Sequence, residues 1–171
     1  MAKEIPQAHY ASEMLEVLEE LFDVHHGFFL DKGTSLFPTL EEVSAEQASS
    51  PIAKGTISIA SHVEHVILYL DVLGNHMAGS PVGEVDWSGT WDRVGKVAPE
   101  AWDDLRARLR AKYAWLVEIV NGVADWREND AVGASMVILA HTACHLGVIR
   151  QALANLGDPG AAVSGTPEGS S

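Results

Sequence analysis

His141-Thr142-Ala143-Cys144-His145-Leu146-Gly147-Val148-Ile149-Arg150-Gln151 lies in a long apolar segment near the end of the 171-residue chain. Read as a helix, the stretch sets His141 and His145 one turn apart on one face. Steps of three and four along that face collect Ala134, Val137, Ile138, His141, His145, Val148, Ile149 and Ala152. The histidines therefore fall in line with apolar side chains and are expected to point into the protein. Two inward imidazoles at this spacing can share one divalent metal ion. They can equally be core histidines bonded to backbone or water, since a bare H-x-x-x-H pair does not separate the two readings.

The same periodicity extends this helix over residues 132–156, where Gly157-Asp158-Pro159-Gly160 stops it. Residues 157–171 are small and polar and read as a mobile tail. Upstream, residues 122–130 form a turn region that holds Trp126. Pro99 opens a further helix at a tolerated first-turn position, with Glu100, Asp103 and Asp104 suited to its N-terminus. Its seam is Trp102, Leu105, Leu109, Tyr113, Leu116, Val120 and Val123. Arg106, Arg108, Arg110 and Lys112 are expected on its solvated face, within reach of acidic neighbours one turn away. Residues 79–98 are rich in Gly, Pro and turn formers around Asp86-Trp87-Ser88-Gly89-Thr90-Trp91. Trp87 and Trp91 can pack over a core edge, the preferred reading, or roof a pocket.

Residues 56–78 make another long amphipathic helix, with a seam of Ile59, Val63, Val66, Leu70, Leu73 and Met77. Glu64 and Asp71 mark its opposite side. His62, His65, Tyr69 and His76 run down one flank, His62 nearer the seam than His65. His76 suits the helix end or the surface. Residues 8–30 show helical spacing through Met14, Leu18, Leu21, His25 and Phe28, with Glu13, Glu16, Glu19 and Glu20 opposite. His25 falls on the apolar side and His26 beside it, where a structural role, or one of orienting a ligand, is favoured over metal ligation. Asp31-Lys32-Gly33 breaks this helix, residues 36–43 resume it, and residues 44–55 read as a loop. No strand-like alternation competes. Four long helices joined by loops predict an all-α, four-helix-bundle domain over residues 1–156.

The totals agree with one ordinary globular domain: 47% apolar, 20% charged. A net charge of −13 argues against direct nucleic-acid binding, which needs clustered Lys and Arg. One cysteine allows no intrachain disulfide and fits a reducing cytoplasm. The first residues lack a basic-then-apolar leader pattern, and no uninterrupted apolar run reaches about 18 residues. A cytoplasmic, non-membrane protein is expected, and exposed helix faces make a homodimer the expected assembly.

Ser58-Ile59-Ala60-Ser61-His62-Val63-Glu64-His65-Val66, with Asp71 beyond it, resembles the second-helix signature of the DinB-like (DinB/YfiT-like) family. The 141–151 stretch resembles that family's fourth-helix signature, a histidine pair followed by a basic, Gly, Gln and Ile run. Gly33-Thr34-Ser35-Leu36 and residues 86–91 are similar to pieces of one bacterial branch. The likeness covers about residues 8–156. It implies a four-helix bundle with up-down-down-up connection and a divalent metal held by one side chain of the second helix and two of the fourth. The fourth-helix pair matches His141 and His145. Aligning the family's downstream acidic residue with Asp71 selects His65 as the third ligand. His62 is then an alternative ligand, or a neighbour that orients a ligand by a hydrogen bond.

Three imidazoles leave open positions on a zinc or nickel ion, the arrangement of a catalytic site. Such an ion can lower the pKa of bound water or hold a thiolate. The resemblance points to the second use, because characterised relatives include transferases and isomerases that depend on mycothiol or bacillithiol. A low-molecular-weight thiol as co-substrate and a small electrophile as substrate are expected, with Tyr69, Trp87, Trp91 and Cys144 as candidate pocket walls. Cys144 lies about 100° around the helix from its neighbours and is expected to pack rather than react. No general base or nucleophile triad accompanies the histidines. A non-catalytic, stress-related interaction or sensing module with a structural or vestigial metal site is the alternative.

Overall fold

The computed structural model describes residues 5–52 and 57–157. Seven helical segments carry them: α1 (Gln7–Phe22), α2 (Leu36–Glu41), α3 (Ala45–Ser49), α4 (Ile59–Met77), α5 (Thr90–Arg93), α6 (Pro99–Gly122) and α7 (Ala131–Gly157). The protein is all-helical. Among the described residues no strand forms, and one isolated antiparallel bridge joins Pro51 to Ser58. The expected tail beyond Gly157 lies outside the described residues.

The helix starts follow local chemistry. Ser58 caps α4 by accepting the Ser61 N–H at 3.2 Å. Pro99 opens α6, followed by Glu100. Asn129 and Asp130 both adopt positive φ, at 52° and 48°, and turn the chain into α7. Segment 44–55, expected as a loop, contains α3 because Ser44 and Gln47 form a reciprocal capping box.

Helix α4 is the centre of the assembly. It packs against α6 on one side and α7 on the other, and α1 packs against the same two helices. Leu18, Leu21, Phe22, Leu36, Ile59, Leu70, Trp102, Leu109, Leu116, Ile138 and Leu146 fill the core. Burying each such side chain contributes roughly 1.5–3 kcal/mol. Trp102 also donates its indole N–H to the Val43 carbonyl at 2.8 Å, which ties α6 to the chain after α2.

Four expectations are corrected. The first helix stops at Phe22 rather than running to residue 30. Glu20, placed on the polar face by periodicity, is 0% exposed. Its carboxylate accepts the backbone N–H groups of Phe28, Phe29 and Leu30 at 2.7–2.9 Å and folds residues 24–30 back on the helix end. Burial raises this carboxyl's pKa, but the three N–H donors and nearby His25 outweigh burial and hold it at about 2. His25 and His26 therefore lie on an exposed loop. His26 bonds Glu19 at 2.7 Å, while Phe28 and Phe29 are exposed.

The second correction is α3 itself. The third concerns the cations of α6, which do more than face solvent. Arg108 grips Glu64 of α4 through both terminal nitrogens at 2.9 and 3.2 Å, Lys112 reaches Asp71 at 2.6 Å, and Arg110 pairs with Glu41 of α2. Only Arg106–Asp103 is a pair within α6 among these four cations. The acidic side of α4 thus faces α6. Fourth, Val137 is 44% exposed, because the inward face of α7 centres on Ala134, Ser135, Ile138, Thr142, His145, Leu146, Ile149 and Ala152. Residues 131–156 of α7 are long and apolar enough to cross a membrane; in this fold the same helix carries two histidines toward α4.

At Gly74 of α4 the Trp115 ring of α6 occupies the space a side chain would take. A Cβ built there meets the Trp115 ring at 2.5 Å. Gly74→Ala is expected to displace that ring from beneath Lys112, whose ammonium lies 4.2 Å from its centroid. Overpacking outweighs the better helix propensity of alanine, for a net loss of about 1–2 kcal/mol. A urea midpoint equal to or above that of the parent would contradict this.

Candidate metal centre

The first half of α4 presents His62, His65 and Tyr69 at successive helical steps, and the middle of α7 presents His141 and His145. Packing of α4 on α7 brings them together. A donor nitrogen from each of His65, His141 and His145 lies within 4.8 Å of the other two. The Nε2 atoms of His141 and His145 are 3.2 Å apart. Two imidazoles sharing a tetrahedral ion at about 2.0–2.1 Å per bond would stand roughly 3.3 Å apart, so this edge has the right length for a metal.

His62 sits behind this group. Its Nδ1 is 2.7 Å from Nδ1 of His145, on the side of the ring opposite the His141 contact. One of those two nitrogens carries the proton and the other accepts it. The bond fixes the His145 ring and leaves its Nε2 directed at His141, the relation that an orienting neighbour has to a ligand. The structure thus groups His65 with the α7 pair and sets His62 against His145.

Two buried ring nitrogens, Nδ1 of His65 and Nδ1 of His141, have no hydrogen-bond partner. Of these the His65 atom is the one free to take the ion, because His141 already turns Nε2 to the edge it shares with His145. Buried imidazole nitrogens are normally satisfied, and an unpaired one costs about 1–3 kcal/mol. Electrostatics agree. Burial, then the neighbouring His65, lowers His62 and His141 to about 4 each. Burial, then His141, His62 and His65, lowers His145 to about 3. Burial also lowers His65. All four rings are neutral at pH 7, the form in which imidazole binds metals.

Aromatic rings enclose the cluster. Tyr69 stacks flat on His141 with centroids 3.5 Å apart and planes 7° apart. Trp91 stacks on His65 at 4.2 Å and meets His62 edge-on at 5.3 Å. Trp87 leans on Tyr69 at 5.2 Å. Trp91 belongs to the cover of the histidine cluster, whereas Trp87 is exposed and meets it only through Tyr69. Their segment is braced. Thr90 is fully buried and donates to the Asp86 carbonyl, Asp86 accepts the Gly89 N–H at 2.8 Å, and Ser61 of α4 donates to the Val94 carbonyl at 2.6 Å. Sequence reasoning missed Ser61 and Thr90. The S-x-x-S spacing of Ser58 and Ser61 signals a helix cap but not this second bond.

Cys144 is exposed on α7, so it is neither a pocket wall nor a packing residue. His76 is exposed near the end of α4. No family model, curated protein or solved structure matches the chain, so the site is read from its own geometry. Three neutral histidines with a braced fourth and an aromatic cover form a candidate divalent-metal centre.

Proposed function

We propose that this chain is a DinB/YfiT-like four-helix-bundle protein whose His65, His141 and His145 hold a divalent ion, zinc or nickel, and that it acts as a bacterial-thiol-dependent S-transferase. The observation that carries the reading is the meeting of His65 from α4 with His141 and His145 from α7. The order and spacing of the two histidine motifs on long helices support the family. A divalent ion in such a site supplies Lewis acidity that keeps a low-molecular-weight thiol ionised near neutral pH. The chain's own contribution is positional. His65, His141 and His145 offer neutral nitrogens, His62 orients His145, and Tyr69 and Trp91 cover two of the imidazoles and limit water. In this reading the protein is a cytoplasmic homodimer acting on a small molecule, without direct binding to nucleic acid or membrane.

One observation favours the alternative of a non-catalytic, stress-related module with a structural or vestigial metal site. Among the described residues, only histidines make up the candidate metal cluster. The nearest carboxylates on α4, Glu64 and Asp71, are paired with α6.

Elemental analysis of protein purified without a nickel column separates the readings, followed by turnover with mycothiol, bacillithiol or cysteine and a panel of chlorinated aromatics and epoxides. One equivalent of metal with thiol-dependent turnover is expected. Metal without turnover across the panel would favour the module. Absence of metal after exposure to both ions would end the metal reading.

A further inference from the structure

We infer that the outward face of α7 is the surface through which two copies of this chain pair, antiparallel about a two-fold axis beside Cys144; the inference rests on the homodimer of the reading above and not on its chemistry. A helix at the surface of a domain is ordinarily polar on the side away from the core, and one that is apolar all round is buried all round. Residues 131–149 of α7 contain no Asp, Glu, Lys or Arg, yet only about a third of the helix's most apolar stretch is buried. Its inward side is taken by α4 and α1. On the other side Met136 is 57% and Val137 44% exposed, and Ala140, Cys144 and Gly147 are exposed beyond them. The apolar surface continues off the helix into a cavity of about 510 Å³ whose walls include Ile5, Tyr10, Trp126, Val132 and Met136. Residues 158–171 bring one large aliphatic side chain, Val163, which is too little to cover this face from within the chain.

Charge points to a second copy as the cover. The chain carries 24 acidic and 11 basic residues, so two copies repel over most of their surface. On the uncharged face they meet without setting like charges together, and that face has no charge with which to select an oppositely charged partner. Spacing agrees. Val137, Ala140, Cys144, Gly147, Gln151 and Ala154 follow one another by alternate steps of three and four, the seam of a helix pair. Glycine weakens a helix interior, yet a Cβ built on Gly147 meets nothing within 4 Å, so its missing side chain clears room for something outside the chain. Reversed on itself about a point between Ala143 and Cys144, the seam sets Ala140 against Gly147 of the partner subunit and Gly133 against the partner's Ala154. Small residues then face small residues, and the helix axes approach to about 8 Å. Residues 131–156 span about 39 Å, and a strip about 10 Å wide gives about 400 Å² per copy. The cavity beside Met136 carries the footprint toward the roughly 800 Å² per partner of a stable dimer.

Sedimentation equilibrium of the full chain tests this, and a dimer is expected at about 10 μM. Ala140→Glu sets two carboxylates close to the axis, and Gly147→Leu fills the close approach. Each should raise the dimer dissociation constant about 100-fold or more. Both positions are exposed in the single chain, so the helical circular dichroism should stay that of the parent. Ala101→Glu, exposed on α6, should leave the dimer unchanged. Oxidation with copper phenanthroline should join two copies through Cys144, the single cysteine of the chain. In a Cys144→Ala background, Ala140→Cys and Gly147→Cys chains should join to each other when mixed and not each to itself. A dimer that neither Ala140→Glu nor Gly147→Leu loosens overturns this face and leaves the homodimer standing on another. Self-joining of each single-cysteine variant, without joining between them, overturns the antiparallel sense. A parent that stays monomeric at about 100 μM overturns the face and the homodimer together, and leaves the metal and turnover assays to decide the rest of the reading. A monomer that binds uncharged phosphatidylcholine vesicles, and loses them in Ala140→Glu, overturns the pairing in favour of a lipid surface.

Discussion

His145→Ala is expected to reduce zinc or nickel affinity by more than a hundredfold and to remove thiol-dependent turnover, while the protein still folds. His145 is the junction of the cluster. Its Nε2 faces His141 at 3.2 Å, its Nδ1 faces His62 at 2.7 Å, and its ring centroid is 5.2 Å from that of His65. Removing it leaves one candidate ligand on each helix and strips His62 of the ring it orients. His62→Ala leaves all three donors and should cost only about 10–100-fold in affinity, the usual loss when an orienting neighbour is removed. The fold should persist because the imidazole is surrounded by other rings, and its loss relieves a desolvated group. Competition titration with a chromophoric chelator measures both constants. Equal affinities for the two variants, or a parent-like constant for His145→Ala, would contradict the assignment.

In metal-free protein, stability is expected to fall by a few kcal/mol between pH 6.5 and pH 4.5. In the unfolded chain the four histidines titrate near 6.5. In the fold His62 and His141 are held near 4, His145 near 3, and His65 is lowered as well. Over that interval the unfolded chain binds protons that the fold excludes, so unfolding gains as pH drops. The contribution is fully present above 6.5 and is lost as pH falls toward 4. Each histidine adds a slope of at most about 1.4 kcal/mol per pH unit, and the rings are close enough that one proton discourages the next. Glu20 and Asp125, both held at about 2, act in the same direction but lower, below their ordinary values of 4.5 and 3.8. Urea midpoints from pH 7.5 to 4.5 read this directly. A flat profile would mean that the histidines are not desolvated together, and His145→Ala should flatten the curve in part.

Periodicity located the long helices well. Residues 56–78 and 132–156, expected from apolar spacing, become Ile59–Met77 and Ala131–Gly157, and Pro99 opens α6 where its fixed φ suits a first turn. The histidine pair one turn apart was also legible. Glu20 shows where the reading failed. An acidic residue at a helical step from other acids reads as outward, yet backbone N–H groups eight to ten positions away drew it inside and ended α1. No pattern within one helix contains those donors. Val137 failed for a related reason. Apolar steps of three and four define a stripe only to within one residue, and α4 and α1 decided how α7 was turned.

By itself, then, the sequence determined an all-helical chain, the starts of its long helices and the residue types of a possible metal site, because helical spacing, capping and proline are properties of neighbours along the chain. Which histidine of α4 joins the α7 pair, which one braces it, where the tryptophans lie and which α6 cation holds which α4 carboxylate were decided by tertiary structure. Those are distances between separate helices. They depend on how each helix is rotated and how far it has slid when its apolar face is buried, and a single strand of letters does not carry that information.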